Sequence, residues 1–306
     1  MNFFFSFGIS RHLLAAAVAV LSAIAYAQQV PQANQPPADA PTRTPAIAGV
    51  VAVGTPVQFI KQGFKGTEGP LGLPDGGFIF TETLDKRITR IAADGQTSAF
   101  LENSNGANGL GLSASGELYA VQVDIPRVGI VFPADKARTL ADNWEGKPFG
   151  RPNDMVLDSR GNVFFTDSGL IAKVGAPENA VAAVYRISAA GKLERLAADI
   201  SRPNGIQLSP DEKTLYVADT SGEHVLAYDL RADGLAVDEQ GRLYVASTAG
   251  IQVFNAKGEA QGVIALPRAP QNIAFSGPGK STLFVVGRGA AYKIATQTAG
   301  YAGRAK

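Results

Sequence analysis

Six oxygen-bearing side chains stand in nearly the same place relative to six apolar runs. Asn108, Asn153, Asn204, Asp233 and Asn272 each head an alternating apolar stretch, and Glu68 lies two residues before a sixth stretch that begins at Pro70. Two carboxylates with two or more amide oxygens form a donor set for a hard divalent cation such as Ca²⁺ or Mg²⁺. The same Asn-Gly and Asp-Gly pairs are also ordinary turn formers, used where the backbone needs a positive φ. For any one of these Asn residues taken alone, turn chemistry is the commoner reason for its presence.

Composition removes several rivals. The chain has no Cys, so thiolate nucleophiles and thiolate metal sites are excluded, and an exported chain would fold without disulfides. There are two His, and His12 lies in the N-terminal leader described below. A His-rich zinc site is therefore impossible, and a Ser-His-Asp triad would rest on His224 alone. No G-x-S-x-G elbow is present. Lys plus Arg number 28 against 27 for Asp plus Glu, with no basic run, so nucleic-acid binding has no electrostatic support. "SGPGKST" from Ser276 imitates a phosphate loop, but it sits inside a strand–turn–strand pattern, and the turn explains it better. Trp144 is assigned to packing, and Asp167 and Asp219 to backbone bonds between units.

The residues that could do chemistry are delivered by a repeat. "PLGLPDGGFIFTET", "NGLGLSASGELYAVQV", "NDMVLDSRGNVFFTDS", "NGIQLSPDEKTLYVADT", "DGLAVDEQGRLYVAST" and "NIAFSGPGKSTLFVVGR" share one layout. Each is an alternating strand, a turn rich in Gly, Pro, Asp or Ser, and a second β-branched or aromatic strand, which is a hairpin pattern. Further strand-like pieces such as "KRITRIAADGQTSAFL" and "GIQVFNAKGEAQGVIAL" lie between them. Two hairpins per unit and a period of about 40 residues indicate a β-propeller. The expected fold is all-β, a six-bladed β-propeller, with "TPVQFIKQGF" supplying an outer strand that closes the ring. No window shows a clear helical period. In a propeller the residue heading each inner strand sits at the mouth of the central channel, so the six oxygen-bearing residues would converge there.

The N-terminus has its own pattern. Arg11, an apolar run from Leu13 to Ile24, and Ala25-Tyr26-Ala27 make a secretory signal peptide over residues 1–27. The apolar run is shorter than the roughly 20 residues of a bilayer span, so no membrane association is expected after cleavage. Residues 28–50 are rich in Pro, Ala and Gln and are expected to be a disordered spacer. Residues 51–306 then form the propeller domain, in a periplasmic or secreted location.

The chain resembles the gluconolactonase and regucalcin (senescence-marker protein) family of six-bladed propellers. The resemblance runs from about Glu68 to near Thr298 and rests on "TEGP", "NWEGKPFGRPND", "RPNGIQLSPDEKTLYVADT" and "DGLAVDEQGRLYVAS". It implies that Glu68, Asn153, Asn204 and Asp233 are metal ligands and that Arg151 contacts substrate, a role also assigned here to Asn108. It also implies one divalent cation, Ca²⁺ first and Mg²⁺, Mn²⁺ or Zn²⁺ next, and a small lactone as substrate. In such a site a cation polarises the lactone carbonyl, and a carboxylate, here assigned to Asp233, takes the proton of the attacking water. Glu68 is the main charge-neutralising ligand.

One interval departs from the pattern. From Asn204 to Asp233 the spacing is 29 residues, too short for four strands and their loops. Three strand-like pieces fit there, "GIQLS", "TLYVADT" and "HVLAYDL", so the fourth blade is expected to lack its outer strand. With Arg231 and Ala232 alone to cross back, either the third piece is stretched or the ring is distorted and Asp233 is displaced. That irregularity supports an alternative function, a non-catalytic secreted propeller that binds a small ligand or a protein partner.

Overall fold

All six expected hairpins form. In the computed structural model, which describes residues 37–169, 181–221 and 232–303 apart from the side chains of Ala232 and Asp233, the inner strands are Thr67–Gly72, Ala107–Leu112, Pro152–Leu157, Pro203–Leu208, Ala232–Val237 and Asn272–Ser276. Each pairs antiparallel with the strand that follows it: Phe78–Glu82, Leu118–Gln122, Val163–Asp167, Leu215–Asp219, Leu243–Ser247 and Thr282–Gly287. The intervening turns are short because Asp and Ser side chains close them. Asp158 Oδ1, for example, accepts from the N–H groups of Arg160 at 3.0 Å and Asn162 at 2.8 Å.

Third and fourth strands complete four sheets of four strands each. The last sheet has five, in the order Thr42–Arg43, Pro56–Gln62, Ala290–Ala295, Thr282–Gly287, Asn272–Ser276. Its outer strand Pro56–Gln62 comes from the start of the domain, so the two ends of the chain are joined in one sheet as expected. The inner strands neighbour one another in a closed ring, with Asn272–Ser276 against Thr67–Gly72. The fold is an all-β propeller. Among the described residues its helices are two single 3₁₀ turns, Ala134–Lys136 and Pro278–Lys280.

The core is six apolar clusters, each lying between adjacent units. Leu71, Ile79 and Ile88 of the first unit meet Leu110, Leu118 and Ala120 of the second. Val121 and Val128 meet Met155, Phe165 and Tyr185. Val156 and Phe164 meet Ile206 and Leu208. Ala218 meets Leu235 and Val245. Tyr244 and Ile251 meet Phe275 and Val285, and Phe284 and Val286 return to Phe78 and Phe80. The second strands alternate their side chains between two such clusters, as Phe78 and Phe80 do on one side and Ile79 on the other, so both their faces are buried.

One expectation changes. Residues 37–50 are part of the domain rather than a spacer. Thr42–Arg43 pairs with Pro56–Val57, and Ile47, Val50 and Val51 are buried in the cluster shared by the fifth and sixth units. Enough apolar residues sit among the Pro and Ala of this stretch to repay its ordering. In the fourth unit the described residues form two strands, Pro203–Leu208 and Leu215–Asp219. Leu215, Tyr216 and Val217 are half-buried, whereas every residue of Phe78–Glu82, Val163–Asp167 and Leu243–Ser247 is buried. The expected third strand, "HVLAYDL", lies outside the described residues, as do the leader and His224.

Phe165 is fully buried, with ring centroids 5.3 Å from Phe149 and 5.2 Å from Tyr185. Phe165→Ala should lower the unfolding free energy by about 3–5 kcal/mol, seen as a fall in the urea midpoint with unchanged slope.

Candidate functional site

The inner strands share one irregularity. Between Glu68 and Leu71, Ala107 and Leu110, Pro152 and Met155, Pro203 and Ile206, and Ala232 and Leu235, the inner strand advances three residues while its partner advances two. This is a β-bulge, which bends the strand and re-aims a side chain. The residues at the start of the five bulges are Glu68, Asn108, Asn153, Asn204 and Asp233. Asp233 therefore keeps the backbone slot of its counterparts, so the short preceding interval has not displaced its strand; its side chain is outside the described set. In the sixth unit Asn272 pairs directly with Val286 without a bulge.

Close contacts put these residues at one level of the ring. Gly69 has φ +47°, and a Cβ there would collide with the carbonyl of Asn108. A Cβ at Gly109 would lie 2.6 Å from Asp154 Cα and 3.0 Å from Asn153 O, and one at Gly234 would collide with the Asn272 amide. Glycine follows the slot residue because the next inner strand passes there at van der Waals distance. Hydroxyls add cross-unit ties: Thr81 Oγ1 donates to Asn108 O at 2.9 Å, Thr166 Oγ1 to Asn204 O at 2.6 Å, and Ser168 Oγ to Pro203 O at 2.6 Å.

In the first four units the loop entering the inner strand is held by the residue ending the second strand. Asp167 accepts from the N–H groups of Gly150 and Arg151, both at 2.7 Å, and of Gly169 at 3.0 Å. Asp219 accepts from Ser201 at 3.1 Å, Arg202 at 2.9 Å and Ser221 at 3.0 Å. In the first unit Glu82 accepts from Lys65 N–H at 2.9 Å, and Arg87 and Thr89 complete its shell at 2.9 and 2.5 Å. In the second, Gln122 donates to Ser104 O at 2.7 Å and accepts from Arg127 at 2.6 Å. Asp167 and Asp219 thus bond the backbone of the segments that link one unit to the next inner strand, as expected from the sequence.

Donor chemistry decides what the slot could hold. Glu68, Asn153 and Asn204 are half-buried and Asn108 is buried at 2% exposure. The Asn108 Oδ1 atom is buried and makes no hydrogen bond among the described residues. An orphan carbonyl oxygen beside a carboxylate suits an oxygen-liganded cation or a donor on a substrate. Among the described residues no three His, Cys, Asp or Glu side chains cluster as a metal site; the rim offers one described carboxylate and several amides. Asn272 is already used, since its Oδ1 accepts from Ile273 N–H at 2.9 Å.

Residues 66–288 match the family described as the SMP-30/Gluconolactonase/LRE-like region. The chain belongs to this family. A gluconolactonase of Zymomonas mobilis is 27% identical, aligned over 84% of this chain and 86% of its own length. A solved gluconolactonase from Xanthomonas campestris superposes with a TM-score of 0.73 at 24% identity, covering 85% of this chain and 98% of that one. Regucalcin from Agrobacterium tumefaciens, described as a calcium-binding protein, superposes at 0.66 with 20% identity over 83% of this chain and 95% of its own.

Within this SMP-30/gluconolactonase-like chain, the slots of Glu68, Asn108, Asn153, Asn204 and Asp233 are brought together by the ring, and Arg151 stands two residues before Asn153 on the clamped loop. Trp144 packs as expected, 5.8 Å from the Tyr185 ring. Sequence reasoning missed Asp154. It is 1% exposed, its Oδ1 accepts from Met155 N–H at 2.8 Å, and its Oδ2 accepts from Ile206 N–H of the next unit at 3.3 Å. The signal was available: the residue after the slot is Gly in four of the units and Asp only here.

Burial raises the Asp167 pKa above its ordinary value, against the opposing N–H donations of Arg151, Gly150 and Gly169. A raised folded pKa favours folding below about pH 4, the unfolded value, and that advantage is lost as pH climbs through the folded value. The stability gap between wild type and Asp167→Asn should therefore narrow as pH rises above about 4 in paired urea titrations. A gap that widens with pH would contradict this account.

Proposed function

We propose that this chain is an exported, metal-dependent lactone hydrolase on a six-bladed ring, with the fourth unit a reduced blade. The observation that carries it is the bulge repeated in five inner strands, which sets two carboxylate-bearing and three amide-bearing slots at one end of the ring, with the orphan oxygen of Asn108 among them. The lactonase chemistry of relatives such as the Zymomonas mobilis gluconolactonase supports the substrate class.

Glu68, Asn153, Asn204 and Asp233 would hold the cation, with Ca²⁺ favoured because all four offer oxygen. When bound, a divalent cation supplies Lewis acidity toward an ester carbonyl and lowers the pKa of a coordinated water. The remaining steps belong to the chain. Arg151, whose guanidinium makes no ion pair or hydrogen bond among the described residues, orients the ring oxygens of the lactone. Asn108 adds an amide at the same level. Asp233 takes the proton from the attacking water and returns it to the ring oxygen as the ring C–O bond breaks, which releases the open hydroxy acid. The apolar clusters between blades keep the rim rigid, so the donors need little rearrangement in the transition state.

A second reading, a non-catalytic binding propeller, draws on the fourth unit, whose second strand is half-buried where its counterparts are buried. Proton release from gluconolactone by chelator-stripped protein separates the two. The hydrolase should regain turnover with added Ca²⁺, Mg²⁺, Mn²⁺ or Zn²⁺, and Asp233→Ala should lose at least about 100-fold in kcat. Folded protein inert with every metal would leave the binding reading. For export, protein recovered from its native host should begin at Gln28; an intact Met1 terminus would count against cleavage.

A further inference from the structure

The sixth unit stands between the two carboxylate-bearing slots, Asp233 of the fifth unit and Glu68 of the first, and its own slot residue is withdrawn. Its inner strand has no bulge, and Asn272 is 3% exposed with its Oδ1 taken by Ile273 N–H at 2.9 Å. The residue before it makes the connections. Gln271 accepts through its main-chain O from Gly234 N–H at 2.8 Å, one residue after Asp233. Through its side-chain Oε1 it accepts from Thr67 Oγ1 at 3.3 Å, one residue before Glu68. The same Oε1 accepts from Arg288 N–H at 2.8 Å, and Gln271 N–H donates to Val286 O at 2.9 Å. A main-chain N–H can only donate, so the Arg288 bond fixes which end of the Gln271 amide faces Thr67. The corresponding residues of the other five units are Thr67, Ala107, Pro152, Pro203 and Ala232, none of which carries an amide. The inner strand itself therefore does not call for glutamine.

One side chain and its own backbone thus hold the chain next to both carboxylate slots. The bond to the fifth unit meets Gly234 inside the bulge of Ala232–Leu235, where a strand gives up ladder bonds and is soft. The bond to the first unit meets Thr67, which is fully buried and has Gln271 Oε1 as its hydroxyl's acceptor among the described residues. Loss of that acceptor would orphan a buried donor at the entry to the strand that carries Glu68. Two carboxylates repel, and a divalent cation offsets that repulsion only at a spacing it can bridge. Resting on the metal-dependent reading above, we propose that Gln271 is a positioning residue that sets the spacing of the Glu68 and Asp233 slots, and with it the affinity for the cation. Its bonds act through Thr67 and Gly234 and require no contact with cation or substrate.

Calorimetric titration of Ca²⁺, Mg²⁺, Mn²⁺ or Zn²⁺ into the chelator-stripped full chain tests this without substrate, using for the variants the cation that wild type binds best. Gln271→Met, which keeps the length and removes the acceptor, should weaken the Kd by about 10-fold or more, the usual loss when a partner that orients a metal ligand is removed. Thr67→Val, close in shape, should weaken it comparably. The double variant should be no weaker than the weaker single one, because both changes remove the same bond. Gln271→Glu keeps an acceptor toward Thr67 and Arg288 and should hold the wild-type Kd or tighten it. A role in folding alone predicts a different result, a lower Tm with the Kd unchanged, and that result overturns the proposal. Losses that add in the double variant overturn it too, since Gln271 would then act by some route other than Thr67. Wild type that binds none of the four cations sinks the metal reading and this proposal together. Wild type that binds while Gln271→Met and Thr67→Val match it sinks the proposal alone.

Discussion

Five inner strands each carry one residue more than the strand they pair with, and the open end of the ring depends on that surplus. A strand in perfect register alternates its side chains between two neighbouring clusters and leaves none for the channel mouth. The extra residue breaks the alternation at one level, so that Glu68, Asn108, Asn153, Asn204 and Asp233 occupy equivalent places. The glycine that follows most of them lets the next inner strand come within contact distance, and the ring is tight for that reason.

A bulge alone would be soft, because it sacrifices ladder hydrogen bonds. The structure compensates with side chains that end the second strands. Glu82, Gln122, Asp167 and Asp219 each reach back to the loop that enters the same unit's inner strand. A carboxylate that accepts two or three main-chain N–H groups in a buried place costs desolvation, visible in the raised pKa of Asp167. In exchange it fixes a loop that apolar packing cannot reach. The backbones of Arg151 and Arg202 inherit their positions from these clamps.

The described part of the fourth unit carries its share of the ring contacts. Its two described strands still supply Ile206, Leu208 and Ala218 to the clusters on either side. Inner strands carry the ring contacts and the slot residues, while third and fourth strands mainly cover the flanks. The backbone of Asp233 keeps its register because that register is set by pairing with Leu243–Ser247, within its own unit, and not by the chain that precedes it.

The sequence by itself determined the all-β class, the hairpins, the closure by Pro56–Gln62 and the identity of the slot residues, because alternation, turn residues and repetition are local and leave a direct imprint on the order of residues. It also marked residues 37–50 wrongly as spacer, since a Pro- and Ala-rich composition says nothing of the buried places awaiting Ile47 and Val50. Only the tertiary structure decided the bulges, the particular N–H groups that Asp167 and Asp219 hold, and the burial of Asp154 between units. Those depend on which strands lie side by side across a hundred residues or more of chain, and on where a neighbour's backbone leaves room, and neither is encoded in any single stretch.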